Sequence, residues 1–359
     1  MTGRERLQAV LHKQPTDRLP WTTLVDDATL SQFPRELQGQ GGIDFYHYLG
    51  CDILLLNGWN TPYRFRSPEC VWGRDVETVE RQEGRRTIRE TKTPKGTLTA
   101  VFEKGHPVKY PVDSLEAVRI YHDMWERATF VDHDDRSVHA DLERLIGVDG
   151  VVTRFWGPST IPRLLELDMG IEGFYYLLHD HPDLVSSLIG TMHEREVVAF
   201  QHLARGPWDS VTLVENTSTF YISPKIYAEY NMPHQREFVE IMRENGKVAI
   251  IHMCGHVRNL LHLIRETGCD GIHFLTPPPT GDTPWEEALD VIGEDLIIFG
   301  TLDPSIFVSG PVEDIGPCLD RLMTPRLREA NFVVSPTADG IVVGLERFVA
   351  VKGWVEENG

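Results

Sequence analysis

Short apolar runs recur along the sequence, and each is followed by a longer stretch with helical periodicity. The runs are rich in Val, Ile and Leu and do not alternate with polar residues, which is typical of strands buried on both faces of a parallel sheet. Strand–helix alternation of this kind predicts an α/β fold. The recognisable runs lie at 51–56, 150–155, 210–214, 248–252, 271–275, 296–300 and 331–335.

The number of runs favours an eight-stranded (β/α)8 TIM barrel, with one further strand that is easily missed, over an open sheet. The segment at about 62–112 differs, because polar and β-prone residues alternate there and "EGR" and "TPKG" are turn signals. We expect this segment to be an inserted antiparallel β-hairpin or small sheet after the first barrel strand. Residues 1–359 are predicted to form a single barrel domain that contains this insertion.

Charge and composition exclude several classes of partner. The formal net charge of −19 argues against nucleic-acid binding, since such a surface repels phosphate backbones. No apolar stretch reaches 18 residues, so we expect no transmembrane helix. The charged N-terminal stretch lacks the apolar region of a signal peptide, so we expect a cytoplasmic protein. Five cysteines without a CxxC pair argue against disulfides and against a four-cysteine zinc site.

Polar residues that directly follow the apolar runs are the candidate site residues, because a parallel barrel places its active site where the strands end. The run "VAIIHMCG" ends in His252 and Cys254, and "SVTLV" is followed by Glu215 and Asn216. The other candidates at strand ends are Asn57, Trp59, Trp156, Asp303 and Asp339.

An imidazole and a thiol two residues apart on an extended segment point to the same side, and both are zinc ligands. Glu215 and Asp339 offer carboxylate oxygens as further ligands. We therefore predict a metal site formed by His252, Cys254, Glu215 and Asp339, with Glu215, His252 and Asp339 as catalytic residues. The alternative stays open that His252 bonds a backbone carbonyl, that Cys254 packs as a small apolar group and that Asp339 belongs to a turn.

The remaining candidates are predicted to bind substrate or cofactor: Asn57, Trp59, Trp156, Asn216 and Asp303. The two tryptophans suit a flat substrate, although such rings more often serve packing. Asp303 precedes Pro304, so a helix N-cap is its other interpretation. The sequence has no GxSxG motif and no phosphate loop, which leaves hydrolase and phosphoryl-transfer functions without support.

The sequence resembles the uroporphyrinogen decarboxylase superfamily along its full length. The resemblance rests on "RERLQAVLHKQPTDRLPW", "WGPSTIPRLLEL", "DLVSSLI", "FGTLDP", "FVVSPTADGI" and, most specifically, "ISPKIYAEYNMPHQREFVEIMRENGKVAIIHMCG". It implies a (β/α)8 barrel with its site at the C-terminal mouth. True decarboxylases carry an arginine-rich N-terminal segment and an aspartate after the first core strand. Here those places read "RLPWTTLVDD" and Asn57-Gly58-Trp59, so porphyrinogen decarboxylation is disfavoured.

The other branch of the superfamily contains corrinoid-dependent methyltransferases, which carry H-x-C-G and often an inserted β-segment similar to "TPKGTL" at 93–98. Thiol-methylating members bind zinc through a His, a Cys and a second Cys near the last strand. His252 and Cys254 match the first two, and Asp339 lies where the second Cys is expected. O-demethylating members bind zinc through two glutamates and a histidine, and Glu215 and Glu229 precede His252 at approximately that spacing.

The resemblance implies a zinc-dependent methyltransferase that moves a methyl group between a methyl ether or phenolate and a corrinoid on a partner protein. Exchanging a thiolate for carboxylates makes zinc harder and suits an oxygen substrate. The alternatives are transfer from methylcobamide to a thiol or tetrahydrofolate, a metal-independent lyase, and a non-catalytic barrel that only binds a corrinoid protein. The expected partners are a corrinoid protein and a small methyl donor or acceptor, with a homodimer left open.

Overall fold

The apolar runs predicted as strands pair side by side in one parallel sheet. The computed structural model describes residues Met1–Gly359. Its strands are β1 (Leu24–Val25), β2 (Ile53–Leu56), β3 (Glu69–Val71), β4 (Glu77–Glu83), β5 (Arg86–Thr93), β6 (Gly96–Glu103), β7 (His106–Lys109), β8 (Thr129–Val131), β9 (Gly150–Trp156), β10 (Ser210–Val214), β11 (Val248–His252), β12 (Gly271–Leu275), β13 (Ile297–Gly300), β14 (Phe332–Val334) and β15 (Thr337–Ala338).

Helices follow most of the parallel strands, as the alternation in the sequence predicts. They are α1 (Gly3–Leu11), α2 (Asp27–Leu30), α3 (Ile43–Leu49), α4 (Leu115–Glu126), α5 (Arg136–Ile146), α6 (Thr160–Arg163), α7 (Ile171–Asp180), α8 (Pro182–Ala204), α9 (Pro224–Ile226), α10 (Met232–Glu244), α11 (Leu261–Glu266), α12 (Trp285–Ile292), α13 (Pro304–Phe307), α14 (Ile315–Leu322), α15 (Pro325–Glu329) and α16 (Leu345–Asn358). Leu164–Asp168 and Tyr227–Asn231 are π-helical. No helix combines the length and the apolar character that crossing a membrane requires.

Seven strands form the parallel sheet, in the order β2, β9, β10, β11, β12, β13, β14. Strands that are neighbours in this sheet also follow one another in chain order, as they do in a β/α barrel. The pairing is in register through the middle of the sheet, where Val214 lies opposite His252 and His252 lies opposite His273. All carboxyl ends of these strands therefore open at the same edge.

Residues 20–25 close this sheet into a barrel and supply the strand that the sequence pattern misses. The Thr22 N–H donates to the Val334 carbonyl at 2.9 Å, and the Asp52 N–H donates to the Trp21 carbonyl at 2.8 Å. β1 also pairs in parallel with β15. The predicted (β/α)8 barrel is confirmed, and "WTTLV" escaped recognition because two threonines interrupt its apolar character. The insertion consequently follows the second strand of the barrel in chain order, whereas the sequence pattern predicts it after the first.

The barrel interior is filled by apolar side chains, so it is a packed core with no pore. Side chains from alternate positions of the strands meet there, and α1 covers the amino-terminal end with three of its residues. The members of this core are Leu7, Val10, Leu11, Leu24, Leu54, Leu56, Val151, Ile250, Phe274, Ile297, Phe299 and Val333.

The chain divides into two compact units, of which the barrel is one (residues 1–65, 134–156 and 204–359). The second comprises residues 66–133 and 157–203 and contains the predicted insertion. Within it, β4–β7 form a four-stranded antiparallel sheet that is larger than a single hairpin, and β3 pairs with β8. Its turns lie at the predicted signals, since Gly84 and Gly96 have φ of 61° and 148°. That the whole chain acts as one domain stays a prediction.

A buried ion cluster ties α1 and the segment before β1 to the start of β2. Asp52 is buried and accepts from Arg6 Nη1 at 2.5 Å, from Arg18 Nη2 at 3.0 Å and from the Trp21 N–H at 3.2 Å. Burial raises the pKa of the Asp52 carboxyl even beside these two guanidinium groups. The cluster is therefore not a large net source of stability, but the loss of Asp52 removes the buried acceptor of Arg6, whose other carboxylate partner, Asp17, is exposed.

Replacing Asp52 by Ala is expected to lower the free energy of unfolding by about 3 kcal/mol, because the Arg6 guanidinium loses its buried partner. Urea unfolding followed by circular dichroism measures this change. Asp141→Ala is the matched control, since the Asp141–Arg144 pair is exposed and its loss should cost less than about 1 kcal/mol. Equal effects of the two substitutions would contradict the assigned role of Asp52.

Candidate active site

The carboxyl ends of β10 and β11 form the polar part of the barrel mouth. His252 is the last residue of β11, and the N–H groups of Glu215 and Asn216 both donate to its carbonyl at 3.0 and 3.2 Å. Gly255 then has φ of 110°, a backbone conformation that residues with a Cβ rarely adopt. The glycine of "HMCG" is thus explained by the turn that leaves the strand directly after the thiol.

His252 lies inside the rim of the barrel, where 9% of its surface is exposed. Phe155 and Phe274 approach its ring edge to face, with centroids 5.5 and 5.4 Å away. Burial lowers the pKa of His252 to about 4, so its imidazole is neutral at pH 7. A neutral imidazole in this place is able to act as hydrogen-bond donor, acceptor or metal ligand.

Cys254 is exposed at the mouth, and its thiol lies 3.8 Å from Asn216 Oδ1. The backbone around it is held by the loop that follows β10. The Thr219 N–H donates to the His256 carbonyl at 2.8 Å, and the Ser218 hydroxyl accepts from the His256 N–H at 3.3 Å. The thiol and the Asn216 amide are thereby presented together on a braced turn.

Glu215 is buried, and its carboxylate accepts from Asn231 Nδ2 at 3.1 Å. Asn231 ends the π-helix Tyr227–Asn231, which lies between α9 and α10. The pKa of the neighbouring Tyr227 hydroxyl is raised well above its usual range by burial and also by the charge of Glu215. Glu229 of the same π-helix is exposed. Glu215 is therefore held in a buried polar cluster with this helix.

Asp339 lies near Asp26, at the end of the short β1–β15 pair. Burial and the charge of Asp26 raise the pKa of Asp339. Asp26 is itself engaged, because its side chain accepts from the N–H groups of Thr29 and Gly340. The two carboxylates form a second acidic position on the carboxyl side of the barrel.

Asp303 acts as a helix N-cap, which is the second of the two interpretations that the sequence allows. Its carboxylate accepts from the Ser305 N–H at 2.8 Å at the start of α13 and from the Thr280 N–H at 2.6 Å. Burial would raise the pKa of Asp303, but the hydrogen bonds from Ser305 and Thr280 outweigh it and lower the pKa. The carboxylate thus connects two βα loops of the barrel.

Asn57 and Trp59 make contacts within the barrel wall. The Asn57 amide accepts from the Phe155 N–H at 3.0 Å and from Arg154 Nε at 2.8 Å, and it donates to the Phe155 carbonyl. Trp59 packs on the barrel core and donates from Nε1 to the Val25 carbonyl at 2.9 Å. Trp156 ends β9 and is partly buried. Their predicted role in substrate binding stays a prediction.

The four predicted metal ligands are not gathered into one shell. No group of three or more His, Cys, Asp or Glu side chains lies close enough to hold a metal ion. His252 and Cys254 share the mouth, while Glu215 bonds to Asn231 and Asp339 lies beside Asp26. The side-chain arrangement therefore does not fit a complete zinc site.

His273 is not among the site residues predicted from the sequence, and it lies next to His252 in the barrel. The two Nδ1 atoms are 2.9 Å apart, and burial lowers the pKa of His273 well below its usual range, with His252 adding to this effect. A signal was present, because "GIHFL" carries an imidazole inside an apolar run. Consecutive strands are neighbours in a parallel barrel, so this imidazole was placed to meet the one in "VAIIH".

Comparison with known proteins identifies the family. The model of the family described as uroporphyrinogen decarboxylase (URO-D) matches residues 157–345, just over half of the chain. The chain belongs to the uroporphyrinogen decarboxylase family. The matched residues run from the end of β9 to the start of α16 and include His252, Cys254 and Glu215.

Three proteins that this chain resembles along most of its length are named as methyltransferases. The chain is 20% identical to the methylcobamide:CoM methyltransferase MtbA of Methanosarcina acetivorans over 331 residues, which are 90% of this chain and 89% of the relative. It is also 20% identical to MtbA of Methanosarcina mazei over 328 residues, 88% and 86% of the two chains. A solved methyltransferase from Methanosarcina mazei has the same fold, with a TM-score of 0.62, 14% identity and 99% of both chains covered.

These matches confirm the resemblance to the methyltransferase branch of the superfamily. They also agree with the expectation of a methyltransferase rather than a carboxy-lyase. Neither zinc nor an ether as methyl donor follows from them.

The two buried imidazoles should make stability depend on pH. The folded protein keeps His252 neutral down to about pH 4, whereas the unfolded chain binds a proton below about pH 6.5. Stability is therefore full above pH 6.5 and is lost as the pH falls towards 4. Between pH 7 and 5, the free energy of unfolding of His252→Asn should fall less than that of the wild type, by roughly 1 to 2 kcal/mol.

Urea unfolding at the two pH values, with a chelator present, measures this difference in pH dependence. His179→Asn is the control, because the His179 imidazole is exposed. Its free energy of unfolding should fall between the two pH values by as much as that of the wild type. The same pH dependence in His252→Asn and in the wild type would contradict the burial of a neutral His252.

Proposed function

We propose that this protein is a methyltransferase that moves a methyl group between a small substrate and a corrinoid carried by a partner protein. The observation that carries the proposal is the pair His252 and Cys254 on the braced turn at the end of β11. Two relatives that align with about nine tenths of this chain and bear the name methylcobamide:CoM methyltransferase support it. The corrinoid would supply the cobalt centre that accepts or donates the methyl group.

The chemistry that remains for the chain is to bind the substrate and to handle a proton at its heteroatom. When a methyl group leaves an ether oxygen, the electron pair of the carbon–oxygen bond stays on oxygen, which is then stabilised by a proton. A hydrogen-bond donor aimed at this oxygen typically contributes about 10²- to 10³-fold to such a step. The neutral imidazole of His252 at the mouth is able to donate this bond, with the Asn216 amide and the Cys254 thiol beside the substrate, and the proton that the oxygen takes up comes from solvent.

Zinc and the identity of the methyl donor are the finer parts of the proposal. We propose a methyl ether or phenolate as the substrate, and transfer to a thiol is the second candidate, which the relatives named for CoM favour. We propose His252 and Cys254 as the zinc ligands. In the zinc-bound protein the remaining nitrogen of His252 would coordinate the metal and would not donate to the substrate, since its Nδ1 faces His273. Two ligands do not complete a four-coordinate shell, so no step of the reaction is derived from zinc.

Partner binding would use the rim of the mouth. Phe220 is 77% exposed in the loop after β10, and its ring lies on His256 with centroids 4.0 Å apart. An exposed aromatic ring beside the turn that carries Cys254 suits contact with a corrinoid protein. The homodimer and the cytoplasmic location expected from the sequence stay predictions.

Methyl transfer can be tested with free cobalamin in place of the corrinoid protein. Cob(I)alamin with methyl ethers, and methylcobalamin with thiols, are followed by their visible spectra. We expect turnover in one direction, and His252→Ala should lower kcat/KM by about 10²- to 10³-fold, because it removes one hydrogen-bond donor to the substrate oxygen. His179→Ala is the control and should keep wild-type activity. The absence of cobalamin-dependent transfer in both directions, or full activity of His252→Ala, would contradict the proposal.

Zinc binding can be tested apart from activity. Protein loaded with zinc and then desalted should retain less metal when either His252 is changed to Ala or Cys254 is changed to Ser, because each change removes one proposed ligand. Cys70→Ser removes a thiol of the other compact unit and should retain as much as the wild type. Elemental analysis gives the retained amounts. Retention that neither substitution changes would rule out this pair as the zinc site.

A further inference from the structure

A cavity of about 530 Å³ lies in the second compact unit, and all of its lining residues belong to that unit. One wall is a face of the antiparallel sheet β4–β7, and the other is built from α4 and the π-helical turn Leu164–Asp168. None of the residues at the barrel mouth lines this cavity. Its volume is in the range of cavities that bind small molecules, and π-helical turns frequently lie at functional sites.

The sheet wall of the cavity changes from polar to apolar across its strands. The residues of β4, β5 and β6 that line the cavity stand in two rows across the sheet, namely Thr78–Thr91–Leu98 and Glu80–Arg89–Ala100. Leu98 and Ala100 of β6 are buried. Arg89 Nε and Glu80 Oε1 form an exposed ion pair of 2.6 Å at the other end. The wall thus offers an apolar surface with a polar edge.

Arg163 is the cation on the helical wall, and its guanidinium is held from one side. Its Nε lies 3.3 Å from Oδ2 of the buried Asp168 and 3.4 Å from the Tyr121 hydroxyl, which itself donates to Asp168 at 2.7 Å. The guanidinium carbon is 5.7 Å from the centroid of the Trp125 ring, within the range of a cation–π contact. Arg163 is therefore oriented before any ligand arrives.

The two terminal nitrogens of Arg163 remain for a ligand. Nη1 and Nη2 make no hydrogen bond within the protein, and 32% of the side chain is accessible. A guanidinium edge with two parallel N–H groups matches the two oxygens of a carboxylate. An arginine whose Nε is bonded to a buried aspartate keeps this edge in a fixed plane.

We propose that the cavity of the second compact unit binds a monocarboxylate with an apolar body, such as octanoate. The carboxylate pairs with Nη1 and Nη2 of Arg163, and the body is covered by apolar surface that includes Leu98 and Leu167. Glu80 and Glu166 also line the cavity, so a second negative charge on the ligand would be repelled. The site goes beyond the proposed methyl transfer, whose residues belong to the barrel unit.

Isothermal titration calorimetry of the full chain with octanoate at neutral pH tests this site. We expect saturable binding with a Kd of about 1 mM or tighter, as is attainable for a ligand of this size. Octan-1-ol has the same body without the charge and should bind at least about 10-fold more weakly. The absence of saturable octanoate binding, or equal affinities for the two ligands, would overturn the proposal.

Leu167→Glu and Ile171→Glu form a matched pair that locates the binding. Both side chains belong to the second compact unit and are 45% and 48% exposed, but only Leu167 lines the cavity. Leu167→Glu should weaken octanoate binding by at least about 10-fold, because it replaces apolar surface with a negative charge. Ile171→Glu should bind octanoate as the wild type does. Equal affinities of the two variants would contradict binding in this cavity.

Arg163→Lys keeps the positive charge and removes the planar pair of N–H groups. It should weaken octanoate binding by about 10-fold, because hydrogen bonds to the carboxylate are lost, and leave the affinity for octan-1-ol unchanged. Unchanged octanoate affinity in a variant that melts as the wild type does would exclude Arg163 as the carboxylate partner. If Arg163→Lys does not fold, the octan-1-ol comparison and the Leu167→Glu variant still decide. All of these measurements follow binding alone, so they are independent of the methyl-transfer assays.

Discussion

Parallel strand pairing around a closed barrel is the constraint on which the rest of the structure depends. Each strand satisfies its backbone N–H and carbonyl groups with two neighbours, and residues 20–25 complete the ring between β14 and β2. All strands must then run the same way, and every chain segment that follows a strand emerges at one end. The core below is packed with apolar side chains. Chemistry is consequently restricted to the mouth, where polar residues remain partly accessible.

The mouth of the barrel contains two buried imidazoles, those of His252 and His273. Placing two histidines among aromatic rings favours their neutral forms, and it leaves them one hydrogen bond to share. A neutral imidazole with one nitrogen already engaged has a single nitrogen left for substrate or metal. The Nε2 atom of His252 is therefore left to act either as a hydrogen-bond donor or as a metal ligand. The charged groups near the mouth lie apart from this pair, with Glu215 bonded to Asn231 and Asp339 beside Asp26.

Much of this fold could be predicted from the sequence, because buried parallel strands have a distinct apolar signature. The strand "WTTLV" was missed because two threonines interrupt its apolar run, and its backbone hydrogen bonds with Val334 and Asp52 join residues far apart in the chain. The π-helical turn Tyr227–Asn231 was not predicted, and it places Asn231 where its amide donates to Glu215. Local periodicity does not report such a long-range contact.

The candidate site was predicted less completely than the fold. Strand ends correctly marked His252 and Cys254 as residues of the mouth, since that inference needs only the barrel topology. His273 can be placed beside His252 only from the register between β11 and β12. That register depends on strand pairing, which the sequence of a single strand does not encode. The functions of Asn57 and Asp303 in bracing loops also depend on partners far away in the chain, namely Phe155 and Thr280.

The central claim is that methyl transfer takes place at the mouth beside Cys254. Mass spectrometry of thiol alkylation tests it most directly, because Cys254 is exposed at this place and Cys70, in the other compact unit, is partly exposed. At methylcobalamin concentrations that support turnover, the account predicts slower alkylation of Cys254 and an unchanged rate for Cys70. Alkylation of Cys254 at the same rate with and without methylcobalamin would contradict it.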